Sequence, residues 1–263
     1  MPALSGPRRA SALNGQSFKD HFSDRSGDYA RYRPQYPAAL FAALEEQLPA
    51  PAAALDCATG SGQLAIGLAG FCERVIATDA SAEQIEQAMP HPRVSYRVAA
   101  AEQSGLPAAS VDLMTVGQAL HWFDHARFAA EASRVIREGG LLVCASYAVC
   151  EITPDIDRIV DRLYTDLLDP FWPPERGMVE NGYADIALPG TPLALPRLAM
   201  SETWSVADML GYLRTWSASK RYQRRHRADP VELIAAELEN AWGAGTRKVS
   251  WPLTVRASRI GVG

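Results

Sequence analysis

The stretch Leu55-Asp56-Cys57-Ala58-Thr59-Gly60-Ser61-Gly62-Gln63 has the composition of a ligand-holding turn between a strand and a helix. Glycines let the backbone turn tightly and let a ligand come close, while the first N–H groups of the helix point at it. Downstream, Asp79-Ala80 ends the next apolar run, where a carboxylate can accept hydrogen bonds from both ribose hydroxyls of an adenosine. Two ligands suit this pair. Gly60-x-Gly62-x-x-Ala65 fits the nicotinamide-dinucleotide fingerprint, which would make the chain an oxidoreductase. Asp56, four residues before Gly60, argues for the other. A dinucleotide sets its pyrophosphate against this turn, and a carboxylate there repels it. S-adenosylmethionine ends instead in a zwitterion, so the acid can serve its ammonium, directly or through water, and loop N–H groups its carboxylate. The charges favour the sulfonium cofactor. A turn with no ligand is the remaining alternative.

The elements around this turn alternate. Strands are expected at Ala53–Cys57, Arg74–Thr78, Arg93–Val98, Val111–Val116 and Gly140–Ser146, with helices at Gly62–Gly70, Ala82–Met89 and Asp124–Arg137 between them. Such alternation implies an α/β fold, a Rossmann-like, mostly parallel sheet with helices on both faces. A helix over Pro37–Gln47 precedes it, with proline in its first turn. After Ser146 the pattern changes to a helix over Pro154–Leu168, broken by Pro170, Pro173 and Pro174. A strand over Arg197–Thr203, helices over Ser205–Trp216 and Pro230–Trp242, and a closing strand over Arg247–Arg256 follow. The expected whole is a seven-stranded sheet with a helical cap from C-terminal insertions over its carboxyl edge, where such sheets bind ligands. Residues 1–16 read as a flexible tail and 17–263 as one domain, with the cofactor core at about 53–146 and the cap and closing strands at about 150–263.

Composition narrows the partners. A net charge of −4 argues against a dedicated nucleic-acid binder, and no apolar run can span a bilayer. Cys57, Cys72, Cys144 and Cys150 lack paired spacing and read as buried thiols of a cytoplasmic protein. Lys220, Arg221, Arg224, Arg225 and Arg227 form a basic run without an intervening acid, either a solvated helix face or a surface for an acidic substrate. His121 and His125 have a spacing that can hold metal on a helix. His-Trp-Phe-Asp-His lacks the glutamate of a zinc-protease motif, however, and no metal is expected.

Asp56-x-Ala58-x-Gly60-x-Gly62 resembles the first motif of class I S-adenosylmethionine-dependent methyltransferases, with alanine where the first glycine usually stands. Asp79 resembles the second motif, and Ala101-Glu102 with Leu106-Pro107 the third, beside the adenine. Val111-Asp112-Leu113-Met114 with Gln118-Ala119-Leu120-His121-Trp122-Phe123 resembles the fourth strand and its loop. Arg134 to Gly140 is similar to the helix and turn before the fifth strand. Ala100 departs from relatives that place an aspartate on the adenine amino group, which leaves that contact to backbone, apolar surface or Glu102. Tyr29-Ala30-Arg31-Tyr32-Arg33-Pro34-Gln35-Tyr36-Pro37, together with the His-Trp-Phe loop, resembles the trans-aconitate methyltransferase subgroup, whose N-terminal segment folds over the cofactor.

The resemblance implies methyl transfer to a small-molecule acceptor, through a carboxylate or hydroxyl oxygen, with a non-catalytic cofactor-binding relative as the alternative. It places Tyr29, Arg33, Asp56, Ala58, Gly60, Gly62, Asp79, Ala80, Ala101, Glu102 and Gln118 on the cofactor. Arg33 would pair with a carboxylate of cofactor or substrate, and Gln118 would touch the methionine portion or the substrate. His121 and Trp122 line the acceptor side. His121 is the candidate catalytic residue, as a base or as a hydrogen bond that orients the acceptor; a loop histidine packed on Trp122 is the plainer reading.

Overall fold

The computed structural model describes residues 32–261, so Tyr29 and the expected tail lie outside the described residues. Five parallel strands, β1 (Ala53–Cys57), β2 (Arg74–Asp79), β3 (Val94–Val98), β4 (Val111–Gly117) and β5 (Ile136–Tyr147), form the body of the sheet. Antiparallel β8 (Arg247–Arg259) lies beside β5, giving the order β3-β2-β1-β4-β5-β8. The outermost position is split. β6 (Thr191–Leu193) pairs with one end of β8 and β7 (Leu198–Trp204) with the other, so the expected seven strands are eight segments.

Two-residue alternation explains why both faces carry helices. Ala54, Val75, Ala77, Leu113, Leu141 and Val143 face one core, shared with α1 (Ala38–Gln47) and α2 (Gln63–Leu68). Leu55, Ile76, Met114, Leu142 and Cys144 face the other, against α4 (His125–Val135). Short α3 (Ala82–Glu86) is capped by Ser81. Helix α4 starts at the expected cap, Asp124, whose side chain accepts the Arg127 N–H. It ends two residues early because Ile136 turns extended to pair with Val111.

Two helical insertions form the cap. The first, between β5 and β6, holds α5 (Pro154–Asp161), a wider π-type turn over Arg162–Leu167 and short α6 (Arg176–Glu180). The π-type turn replaces the end of the single helix expected over Pro154–Leu168. The second, between β7 and β8, holds α7 (Val206–Arg214), α8 (Ser217–His226) and α9 (Glu232–Trp242). A capping box, Ser205 with Asp208, fixes the start of α7. The basic run lies on α8 and its C-cap, Arg227. Arg224, Arg225 and Arg227 are exposed, while Arg214 is paired with Asp229 and Glu232 at 2.6 and 2.5 Å. All four cysteines are buried and unbridged. Among the described residues no helix is long and apolar enough to cross a membrane.

Candidate active site

At the carboxyl end of β1 the backbone enters the left-handed region three times, at Ala58 (φ 55°), Gly60 (φ 55°) and Gly62 (φ 88°). Gly62 has a second reason to be glycine: a Cβ there would stand 2.3 Å from the Tyr96 hydroxyl oxygen. Asp56 anchors this loop from below. Its Oδ2 accepts from the Thr59 hydroxyl at 2.5 Å and the Ala65 N–H at 3.1 Å, and its Oδ1 from the Thr115 hydroxyl at 2.8 Å. The side chain is 1% exposed, and burial raises its pKa to about 6 against the pull of those donors. The expected direct service to a ligand ammonium therefore meets a carboxylate whose oxygens are already engaged by the loop and by β4.

Asp79 stands at the end of β2, facing the same loop. Its Oδ2 accepts the Gly60 N–H and its Oδ1 the Ser81 N–H, both at 2.9 Å. Ala80, next along, is exposed. The loop after β3 completes this side. Ala101 is buried, and Glu102 Oε1 accepts the Asp124 N–H at 2.9 Å, tying that loop to the start of α4. Buried Glu131 holds it again, accepting the Ser104 N–H at 2.8 Å.

Farther along the edge, Arg33, Gln118, His121 and Trp122 come together in one cleft between the sheet and the cap. Gln118 is another non-glycine residue in the left-handed region (φ 54°). Its amide donates to the Tyr147 carbonyl at 2.9 Å and accepts the Tyr147 N–H at 2.8 Å, so it clips β4 to β5. Arg33 donates from Nη1 to the Tyr147 hydroxyl at 3.1 Å and lies over the Tyr212 ring, 5.7 Å from its centroid. The strap that carries Arg33 is seated on the cap: the Tyr32 ring lies where a Cβ on Gly211 would be, 2.6 Å away. Arg33 thus lies with the cleft residues, apart from the glycine loop.

His121 sits in a single 3-10 turn, Leu120–Trp122, its ring 4.5 Å from that of Trp122 and its Nδ1 2.9 Å from the Tyr183 hydroxyl. Burial, with smaller contributions from the charges of Arg176 and His125, pushes its pKa from 6.5 down to about 3. A group that holds a proton so poorly is a weak general base. Arg176, from α6, lines the same cleft, as do Trp172 and, from the second insertion, Tyr212, Trp216 and Lys220.

Arg176, Tyr147 and Tyr212 were not singled out by the sequence. Arg176 follows Pro173-Pro174 in a stretch without periodicity, and Tyr147 and Tyr212 sit outside any motif. The one signal is compositional: five of the six tryptophans lie beyond residue 146. Trp172, Trp204, Trp216 and Trp251 join Tyr164 and Tyr212 in one aromatic network beside the cleft.

Residues 55–144 match the methyltransferase domain family. A Dictyostelium discoideum protein named as a methyltransferase is 33% identical over 229 residues, which are 86% of this chain and 87% of its own. A Mycobacterium tuberculosis protein named as an S-adenosylmethionine-dependent methyltransferase is 29% identical over 138 residues, 52% of this chain and 50% of its own. The solved structure of a type II methyltransferase from Anaeromyxobacter dehalogenans is 49% identical, with a TM-score of 0.81 over 86% of this chain and 97% of that one. The chain belongs to the class I S-adenosylmethionine-dependent methyltransferases. Its residues fit that cofactor, with a loop kept open by glycines and Asp79 facing it from the next strand.

Proposed function

We propose that this enzyme transfers the methyl group of S-adenosylmethionine to the carboxylate of a small molecule. The observation that carries the reading is the charge of the cleft: Arg33, Arg176 and Lys220 line it, and among the described residues no aspartate or glutamate does. A carboxylate is a nucleophile without a proton to lose, so the low proton affinity of His121 is no handicap. Bound at the glycine loop, the cofactor supplies a methyl group already activated on a sulfonium. The protein's tasks are then to align the acceptor and exclude water, which walls of Trp172, Trp216 and Tyr212 suit. The likeness of the strap to the trans-aconitate subgroup agrees with this acceptor class.

On the cofactor side, Asp79 takes the ribose hydroxyls, the loop at Gly60 and Gly62 leaves room for the methionine end, and Ala80, Ala101 and Glu102 border the nucleoside. Ala58 and Asp56 shape the loop, and Gln118 holds the boundary between cofactor and acceptor. Arg33 closes the entrance. Unbridged buried thiols suit a cytoplasmic enzyme.

The test has two arms. Calorimetry with S-adenosylhomocysteine should show saturable binding. A panel of small acids, phenols and amines, scored by S-adenosylhomocysteine release, should give turnover confined to acids and a product ester cleaved by mild alkali. Turnover on amines or phenols alone would overturn the carboxylate reading.

A further inference from the structure

Two side chains of the cleft are each held from behind by a tyrosine. Arg176 donates from Nε to the Tyr164 hydroxyl at 2.6 Å, and Tyr164 in turn donates to Glu180, whose Oε1 lies 3.7 Å from the guanidinium. The guanidinium carbon also stacks 5.2 Å from the Tyr164 ring centroid and 5.0 Å from that of Trp172. Its side chain is only 17% exposed, and its two Nη groups make no hydrogen bond among the described residues. An arginine fixed through Nε and against two aromatic rings keeps its fork for a planar anion. His121 is held through Nδ1 by the hydroxyl of Tyr183, itself fully buried. The backbone of Tyr183 is in the left-handed region (φ 60°), and its carbonyl is gripped by Arg256. A tyrosine kept in a costly backbone conformation by its surroundings is a fixed post for the imidazole.

We infer that Arg176 and His121 form a two-point clamp for the acceptor's carboxylate, with Tyr164 and Tyr183 as the residues that position it. In this arrangement the Tyr183 hydroxyl donates to Nδ1, which leaves Nε2–H as a donor toward the cleft. Burial keeps the Tyr183 phenol protonated, as that role requires. Arg176 supplies the charge and selects anions; His121 supplies direction. The clamp rests on the carboxylate reading above and goes beyond it by naming the residues that select the acceptor, on α6 and after β4, both outside the cofactor loop.

Benzoate and benzamide, alike in shape and different in charge, probe the clamp in the full chain saturated with S-adenosylhomocysteine, read by the 15N and 13C NMR signals of the His121 ring. Benzoate should shift those signals and bind at least tenfold more tightly than benzamide. Arg176→Met should weaken benzoate at least tenfold, Arg176→Lys should keep part of the affinity, and both should leave S-adenosylhomocysteine affinity unchanged. Tyr183→Phe should change the tautomer pattern of His121 and weaken benzoate several-fold. If Arg176→Met binds benzoate as the natural protein does, the clamp is wrong and the carboxylate reading stands. If benzoate and benzamide bind alike, or neither binds, both fall. Loss of S-adenosylhomocysteine affinity in Arg176→Met and Arg176→Lys together would make Arg176 part of the fold and overturn the clamp.

Discussion

The two sides of the site share one sheet edge and are made from different material. Around Gly60 and Gly62 the lining groups are backbone, shaped by left-handed turns and fixed by carboxylates, Asp56 from below and Asp79 from beside. In the cleft they are side chains: Arg33 from the strap, His121 from a 3-10 turn, Arg176 and Lys220 from separate insertions. A backbone site tolerates little change of sequence, because the turn itself demands glycine. A side-chain site on a cap can change its occupant with the cap, while the loop and its carboxylates stay as they are. One sheet edge can thus keep one cofactor and serve many acceptors.

The buried titratable group of each side should tilt stability with pH in opposite directions, and this is the largest expected effect. The pKa of Asp56 is raised from 3.8 to about 6, so its contribution is fully present below pH 4 and lost as pH rises through 6. The pKa of His121 is lowered from 6.5 to about 3, so its contribution is present above pH 6.5 and lost as pH falls toward 3. The first amounts to about 3 kcal/mol between pH 4 and 6, and the second to about 5 kcal/mol between pH 6.5 and 3. Denaturant titrations of the natural protein against Asp56→Asn and His121→Gln isolate the two slopes. Slopes of the same sign would break the contrast.

Next in size, Asp79→Ala should weaken S-adenosylhomocysteine binding by roughly 3 kcal/mol, about a hundredfold in Kd, by removing charge-assisted hydrogen bonds. Benzoate binding in the cleft should hardly change, since Asp79 is not among the residues lining it. Calorimetry with each ligand reads both numbers, and a parallel loss would mean that the two sides are one site. Gly62→Ala should cost about 2 kcal/mol of stability, from the left-handed backbone and from the contact with Tyr96. Tyr96→Phe in the same chain should recover part of it, as chemical denaturation of the double variant would show.

The same contrast explains what could be read in advance. The alternation of strands and helices over 53–146 was legible because a sheet buried on both faces needs short apolar runs, and the glycine turn because its geometry restricts residue choice. Lys220 looked like one charge among several on a solvated helix, yet its place on α8 turns it toward the cleft while Arg224 and Arg225 face solvent. No local pattern could announce Arg176, whose partners Tyr164 and Trp172 precede it in an irregular segment of prolines and a π-type turn. Asp56 was visible as a carboxylate at the turn. Its donor from β4 was not, because Thr115 lies 59 residues away in the chain.

The smallest effect tests the contrast most finely, because the same backbone conformation occurs on both sides. Ala58 and Gln118 have φ of 55° and 54°, each costing on the order of 1 kcal/mol relative to glycine in the folded chain. Glycine also loosens the unfolded chain, which offsets part of that gain. At Ala58 the side chain is a methyl group without hydrogen bonds, so Ala58→Gly should stabilise the protein by about 0.5 kcal/mol and leave cofactor affinity unchanged or better. At Gln118 the same substitution also removes two hydrogen bonds to the Tyr147 backbone, each worth about 1 kcal/mol. Gln118→Gly should therefore destabilise by about 1.5 kcal/mol despite the relief of strain, and should loosen the cleft edge at Tyr147. Equal responses of the two variants in thermal melts would show that the side-chain clip adds nothing to the backbone, and the distinction between the two sides would fail where it is sharpest.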